Sequence, residues 1–362
     1  MRTKLDRRTF LGGTAGAAVT GLAGCTGGGG GNDETTNVGM VYALGGLGDK
    51  AFNDMAHTGI QRAEEELDIE YSNTEPESQS EFETMQRQFA SSSDPTYELV
   101  ACIGFAQTSA LETNAEEFPD QKFMLVDSTL DADNVASYVF KEEQGSFQVG
   151  HLAGLLTTRE FSHEGSYGGS DTTFSTNSEK TTVGFVGGKE NPLIKKFEAG
   201  FMAGAHHVDE NIEVRRAYAG SWNDPSKGKE IADSMYNEDA DVVYHAAGGT
   251  GSGVFKSAAE RGSLAIGVDS DQSLENDASH AIVASMVKHV DTAVFNATKS
   301  VVDDAFNGGE ITALGLEKDG VEAVIGTEYE GELPSDITDA LEESQSAINN
   351  GDIEVPTDPE NA

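Results

Sequence analysis

Short apolar runs alternate along the chain with longer segments of helical period. The runs cover 38–43, 99–103, 122–126, 135–140, 182–187, 241–246, 264–269 and 281–285. Most are near-continuous apolar and β-branched, the pattern of strands buried on both faces. Amphipathic segments at 53–66, 79–90, 107–117, 144–159, 193–208, 225–238 and 253–261 lie between them. Asn191-Pro192 and Asp224-Pro225 read as capped helix starts with proline at the first helical position. Strand–helix alternation predicts α/β architecture, with parallel sheets covered by helices on both faces. The chain beyond residue 37 is too long for one core, so two domains are expected.

Two stretches break the pattern. Residues 163–180 are rich in Ser, Gly, Thr and Asp without periodicity, and read as an inserted surface loop. Residues 351–362 form an acidic, proline-containing tail expected to be irregular. No repeat of solenoid period is present.

The N-terminus carries Asp6-Arg7-Arg8-Thr9-Phe10-Leu11 and then small and apolar residues to Ala23. That run falls short of the roughly 20 apolar residues needed to span a bilayer. It has the charged front and apolar middle of a twin-arginine signal. Leu22-Ala23-Gly24-Cys25 resembles a lipobox, so 1–24 reads as a lipoprotein signal peptide and Cys25 as the lipidated residue. Residues 25–37 read as a Gly-rich tether, holding the protein to the outer face of the cell membrane.

Charge sharpens this picture. The chain holds 63 acidic against 23 basic side chains, a net charge of −40. The acids are spread rather than blocked. Such self-repulsion is tolerable where the Debye length shrinks to about 3 Å, as at 1 M salt, so the chain reads as halophilic. It excludes nucleic acid as a partner. Cys102 is the one cysteine besides Cys25 and sits in an apolar run, so no disulfide and a buried thiol are expected.

Ligands of open α/β sheets bind beyond the carboxyl ends of the strands, which directs attention to the residues there. Gly248-Gly249-Thr250-Gly251 follows a strand and opens a helix, as a contact that lets a ligand reach backbone N–H groups or as a plain turn. Asp127 and Asp269 each end an apolar run, where a carboxylate serves adjacent hydroxyls of a sugar or caps a helix. Phe52 and Trp222 are aromatics in polar loops, stacking surfaces for a planar base or plugs for the core. His206 and His207 are adjacent, so a helix points them apart, and no metal or cofactor is expected. No nucleophile elbow or forced triad supports an enzyme.

These residues join one pattern. The loop Gly45-Gly46-Leu47-Gly48-Asp49-Lys50-Ala51-Phe52-Asn53-Asp54 resembles the opening loop of the basic-membrane-protein (PnrA-like) family of solute-binding lipoproteins, whose best-known members bind purine nucleosides. Phe140-Lys141-Glu142-Glu143-Gln144-Gly145-Ser146-Phe147, Gly220-Ser221-Trp222-Asn223-Asp224-Pro225, His245 to Phe255, Ile266 to Gln272 and Ser285-Met286-Val287-Lys288 match further, in order. The resemblance implies a type I periplasmic-binding-protein fold, two doubly wound lobes joined by a three-crossover hinge. It implies an ABC-type importer, with a monomer delivering a nucleoside to membrane permease subunits. Phe52 and Trp222 would sandwich the base, and Asn53 would bond its edge. Asp127, Asp269, Lys288 and the Gly248, Gly249 and Gly251 turn would hold the ribose. Ala43 stands where purine-binding members often carry Asp, which leaves the choice of base open. The lobes are expected at 38–141 with 287–307 and at 142–286 with 308–350. A ligand sensor without transport, a binder of sugars or other polar solutes and a secreted nucleoside-processing enzyme are the competing readings.

Overall fold

A computed structural model describes residues 35–274 and 277–362. The expected signal peptide 1–24, Cys25 and most of the tether lie outside the described residues. The tether is shorter than expected, because strand β1 (Thr36–Val41) already includes residues 36 and 37.

The first half alternates β1, α1 (Phe52–Leu67), β2 (Ile69–Thr74), α2 (Phe82–Ala90), β3 (Leu99–Cys102), α3 (Thr108–Glu117), β4 (Lys122–Val126) and β5 (Val135–Phe140). Next come α4 (Glu142–Thr157), β6 (Ser162–Tyr167), β7 (Ser170–Ser175), β8 (Thr182–Gly187), α5 (Pro192–Val208), β9 (Glu213–Tyr218) and α6 (Pro225–Asn237). The chain continues through β10 (Val242–Ala246), α7 (Ser252–Arg261), β11 (Leu264–Asp269), β12 (Ile282–Lys288) and α8 (Val290–Val302). It ends with β13 (Ile311–Leu314), β14 (Val321–Ile325) and α9 (Ser335–Asn350).

Two six-stranded sheets result, ordered β13-β5-β4-β3-β1-β2 and β14-β12-β11-β10-β8-β9. All neighbours run parallel except β12 and β14, which are antiparallel. The orders correspond position for position, so β4 and β11 are equivalent strands of two lobes of one design. The central strands β3, β8, β10, β11 and β12 are buried at every residue, as sheets sandwiched between helices require. The thiol of Cys102 sits inside the first core, where burial pushes its pKa up.

The chain crosses between sheets three times, from β5 into α4, from β12 into α8 and from β13 to β14. Helix α8 packs on α1 of the first lobe, and α4 packs on α5 of the second. Hydrogen bonds tie the crossings together: Lys141 N–H donates to Leu314 O at 2.8 Å, and His289 N–H to Gly320 O at 2.9 Å.

Two expectations need correction. Residues 308–314 do not belong with the second lobe, since β13 pairs with β5 at the edge of the first sheet. Its few apolar positions extend a sheet already begun far upstream. The expected loop at 163–180 is largely a hairpin, β6 against β7, whose polar sequence reflects exposure of one face. The tail beyond Gly351 carries one short 3-10 turn, Pro359–Asn361. No helix among the described residues is long and apolar enough to cross a membrane.

Candidate ligand-binding site

The carboxyl ends of the parallel strands of both sheets face one cavity of about 240 Å³. The first lobe contributes the β1–α1 loop, the turn after β3 and the end of β4. The second contributes the loops after β8, β9 and β10 and the ends of β11 and β12.

The β1–α1 loop is held from within. The Asp49 carboxylate accepts N–H bonds from Ala51, Asn53 and Asp54 at 2.9, 3.0 and 3.2 Å, capping α1 from upstream. Asn53 uses its amide oxygen for the Ala43 N–H at 2.9 Å and donates one N–H to Asp49 at 3.1 Å. That commitment aims Phe52 at the cavity and sets the Ala43 methyl in its wall. Across the cleft, Ser270 Oγ and Gln272 Nε2 donate to the Lys50 carbonyl at 2.8 and 2.9 Å, clasping this loop to the second lobe.

Asp127 and Asp269 occupy the same place in the two lobes, after β4 and at the end of β11. Both adopt left-handed backbone, with φ of 65° and 66°. Such a conformation costs a residue with a Cβ on the order of 1–3 kcal/mol, and it turns both carboxylates off the sheet edges toward the cavity.

Between them lies Lys288, the last residue of β12. Its Nζ is 2.8 and 3.0 Å from the two oxygens of Asp127, 3.7 Å from Glu142 and 4.0 Å from Asp269. The Lys288, Asp127, Glu142 and Asp269 side chains are 2%, 4%, 0% and 9% exposed. The ammonium also lies 4.6 Å from the Phe52 ring centroid, 5.3 Å from Phe140 and 5.6 Å from Phe197, an aromatic surround that favours a cation. Lys196 reaches the other oxygen of Glu142 at 3.1 Å.

Three buried carboxylates thus share the buried Lys288 ammonium and the half-exposed one of Lys196. Burial raises Asp269 to about 7; Lys288 opposes the rise and Asp127 adds to it. Glu142 is likewise pushed up to about 7 by burial against the pull of Lys288. Burial alone would lower Lys288, but Asp127, Asp269 and Glu142 together hold it above the ordinary lysine range. The site is a fixed cation flanked by acceptors, two of them, Asp269 and Glu142, poised near neutrality.

Trp222, on the β9–α6 loop, packs over the Gly188 backbone so closely that a Cβ there would lie 2.3 Å from the indole. The Gly248–Gly251 turn braces this loop. Thr250 N–H donates to Trp222 O at 3.2 Å, and Thr250 Oγ1 accepts from Asp224 N–H at 2.8 Å and donates to Ser221 O at 3.1 Å.

Of the expected residues, Phe52, Asn53, Asp127, Trp222, Gly248, Asp269 and Lys288 line the cavity. Gly249 and Gly251 do not. A Cβ at Gly251 would fall 1.9 Å from the His245 ring, and one at Gly249 3.0 Å from Asn223 Oδ1, so these glycines serve close packing behind the wall. Phe105, in the strand-end stretch 104–107, also lines it, as do Asn191, Leu193, Ile194 and Phe197, which sequence reading did not assign to the site. Phe105 and Asn191 lie just beyond strand ends, where ligands of open α/β sheets bind, whereas Leu193 and Ile194 lie in the first turn of helix α5. Phe197 lies within a helix, where an aromatic reads as core. Glu142 and Lys196 complete the charge cluster, and no local sequence signal separates them from surface charges.

Comparison with known proteins fits this geometry. The family model of the ABC transporter substrate-binding protein, PnrA-like, matches residues 36–358. The chain is 35% identical to the CD4+ T-cell-stimulating antigen of Listeria innocua, covering 91% of each sequence. It is 31% identical to the ABC transporter nucleoside-binding protein BmpA of Lactococcus lactis, over 94% of this chain and 96% of that one. Among solved structures, an ABC transporter solute-binding protein of Aeropyrum pernix superposes with a TM-score of 0.75 at 28% identity, covering 89% of this chain and 93% of that one. The two-lobed α/β fold is that of type I periplasmic binding proteins.

Proposed function

This chain belongs to the PnrA-like family of ABC transporter substrate-binding proteins, a family of solute binders rather than enzymes, and on that premise we propose that its solute is a nucleoside. The observation that carries the reading is the pairing of Asp127 and Asp269 around Lys288 in a cavity that also presents Phe52 and Trp222. Two carboxylates at matching strand ends accept the adjacent hydroxyls of a ribose. The ammonium between them donates to a sugar oxygen, and charge-assisted bonds of this kind are the strong ones. The aromatic walls hold the flat base. The Lactococcus relative named as nucleoside-binding lends support.

Ligand contacts from both lobes favour the closed arrangement, and the three crossovers supply the hinge. The closed form docks on permease subunits. Export by the Arg7-Arg8 signal and lipidation at Cys25 place the clamp on the outer membrane face. The Pyrococcus abyssi relative, 33% identical over 318 residues, is named a lipoprotein and supports the anchor. The spread negative charge is the surface of a protein working in concentrated salt.

Calorimetric titration in multimolar KCl against adenosine, guanosine, inosine, uridine and cytidine tests the ligand. Binding of one or more supports the reading. A folded sample that binds none of them, but binds free sugars, overturns it. Circular dichroism tests the salt reading: unfolding is expected in dilute buffer, and equal stability in both would refute it.

A further inference from the structure

We propose a divalent transition-metal site, fitted to Zn2+, formed by His163, His280 and Glu328 on the second lobe. His163 lies on β6, His280 in the turn that precedes β12, and Glu328 in the turn that follows β14. Because β14 runs antiparallel to β12, the start of one lies beside the end of the other. The cluster therefore sits at the amino end of β12, opposite the strand ends that face the cavity.

Its geometry is that of a ligand set. His163 Nε2 and His280 Nδ1 are 3.4 Å apart, and His280 Nδ1 is 3.6 Å from a Glu328 carboxylate oxygen. One atom from each residue lies within 4.8 Å of the others. Ligands at the 2.0–2.1 Å bond lengths of tetrahedral zinc stand about 3.3–3.4 Å from one another, so a small closure completes three corners. Two imidazoles and a carboxylate suit this ion, and the partial exposure of all three residues leaves the fourth corner to water.

Packing holds the rings in place. The His280 ring stacks on Phe174 at 17° and on His163 at 27°, and His163 lies 4.5 Å from the Tyr329 ring. Tyr329 donates its hydroxyl to the His280 carbonyl at 2.5 Å, fixing the turn. Gly165 leaves the room, since a Cβ there would lie 2.6 Å from the His280 ring. Without a cation, two imidazole nitrogens face each other across 3.4 Å with at most a weak shared proton. A metal uses both lone pairs and joins three segments distant in sequence. It staples the β6–β7 hairpin to the lobe.

The test is Zn2+ titration of the intact chain in concentrated KCl with excess Mg2+, by competition with a chromogenic chelator. One Zn2+ per chain is expected, with a raised melting temperature. In His163→Asn and Glu328→Gln, affinity falls at least about tenfold while solute binding is unchanged. Equal Zn2+ affinity in wild type and both variants assigns the ion to surface carboxylates and overturns the site. Hydrogen exchange on the unmutated chain gives an independent reading: Zn2+ slows exchange at residues 162–175, and unchanged exchange there refutes the staple.

Discussion

Replacing Lys288 by Met probes the charge cluster directly. The substitution keeps the length and apolar stem of the side chain and deletes the cation. Asp127 then loses its bidentate partner at 2.8 and 3.0 Å, and Asp269 loses the cation at 4.0 Å. Glu142 retains Lys196. Removing one partner of a buried ion pair costs about 3–5 kcal/mol, because the remaining charge is stranded out of water. For a chain of this size the unfolding entropy is on the order of 0.7 kcal/mol/K, so the melting temperature falls by about 4–7 °C. The loss depends on pH with a defined sign. Lys288 lowers the pKa of Asp269 and Glu142, so its removal raises both further above their unfolded values. The variant's folded state then holds protons that its unfolded state releases. Its deficit against wild type is small near about pH 4 and grows as pH rises through about 7 and beyond. Denaturation in multimolar KCl at about pH 5 and about pH 8 reads both quantities; the salt screens surface pairs but reaches a buried pair much less. A loss under about 1 kcal/mol at the higher pH, or one equal at both, would refute the account of Lys288 as the cluster's counter-charge.

Three further outcomes follow from the same geometry. If ligand hydroxyls donate to Asp269, which titrates at about 7, binding expels its proton, so affinity rises with pH by up to about tenfold per unit below 7 and levels off above; calorimetry across that range in two buffers checks it, and a flat profile counts against the contact. Trp222→Ala removes one aromatic wall and weakens nucleoside binding by about 1–3 kcal/mol, roughly 5- to 150-fold in Kd, read by calorimetry on the folded variant; undiminished affinity rules out stacking there. Gly251→Ala drives a methyl into the His245 ring and destabilises the fold by about 1–3 kcal/mol, measured by chemical denaturation, though Gly251 lies outside the cavity.

The sequence by itself determined the α/β alternation and the central strands. A strand buried on both faces is apolar along most of its length, as Leu99–Cys102 is and as β11 is up to its final residue, Asp269, and that leaves a local mark. It also pointed to the residues at and beyond those strand ends, where Phe52, Asp127, Trp222 and Asp269 converge on one cavity; Lys288, which lines it too, was expected only from the family resemblance. Edge strands leave a weaker mark. Ile-Glu-Tyr-Ser-Asn-Thr of β2 and Glu-Val-Arg-Arg-Ala-Tyr of β9 are largely exposed or half-buried, so their polar residues hide them. The same exposure made the β6–β7 hairpin read as a loop. Only the tertiary structure decided that β13 closes the first sheet, since backbone pairing with β5 is indifferent to the four side chains it carries. Only it brought Lys288 to Asp127, 161 residues away, and set Glu142 and Lys196 beside them. A charged side chain looks the same in sequence whether it meets water or a buried counter-ion. Its environment comes from the crossovers, and these bring the last residue of β12 and the first of α4 to the centre of the cleft.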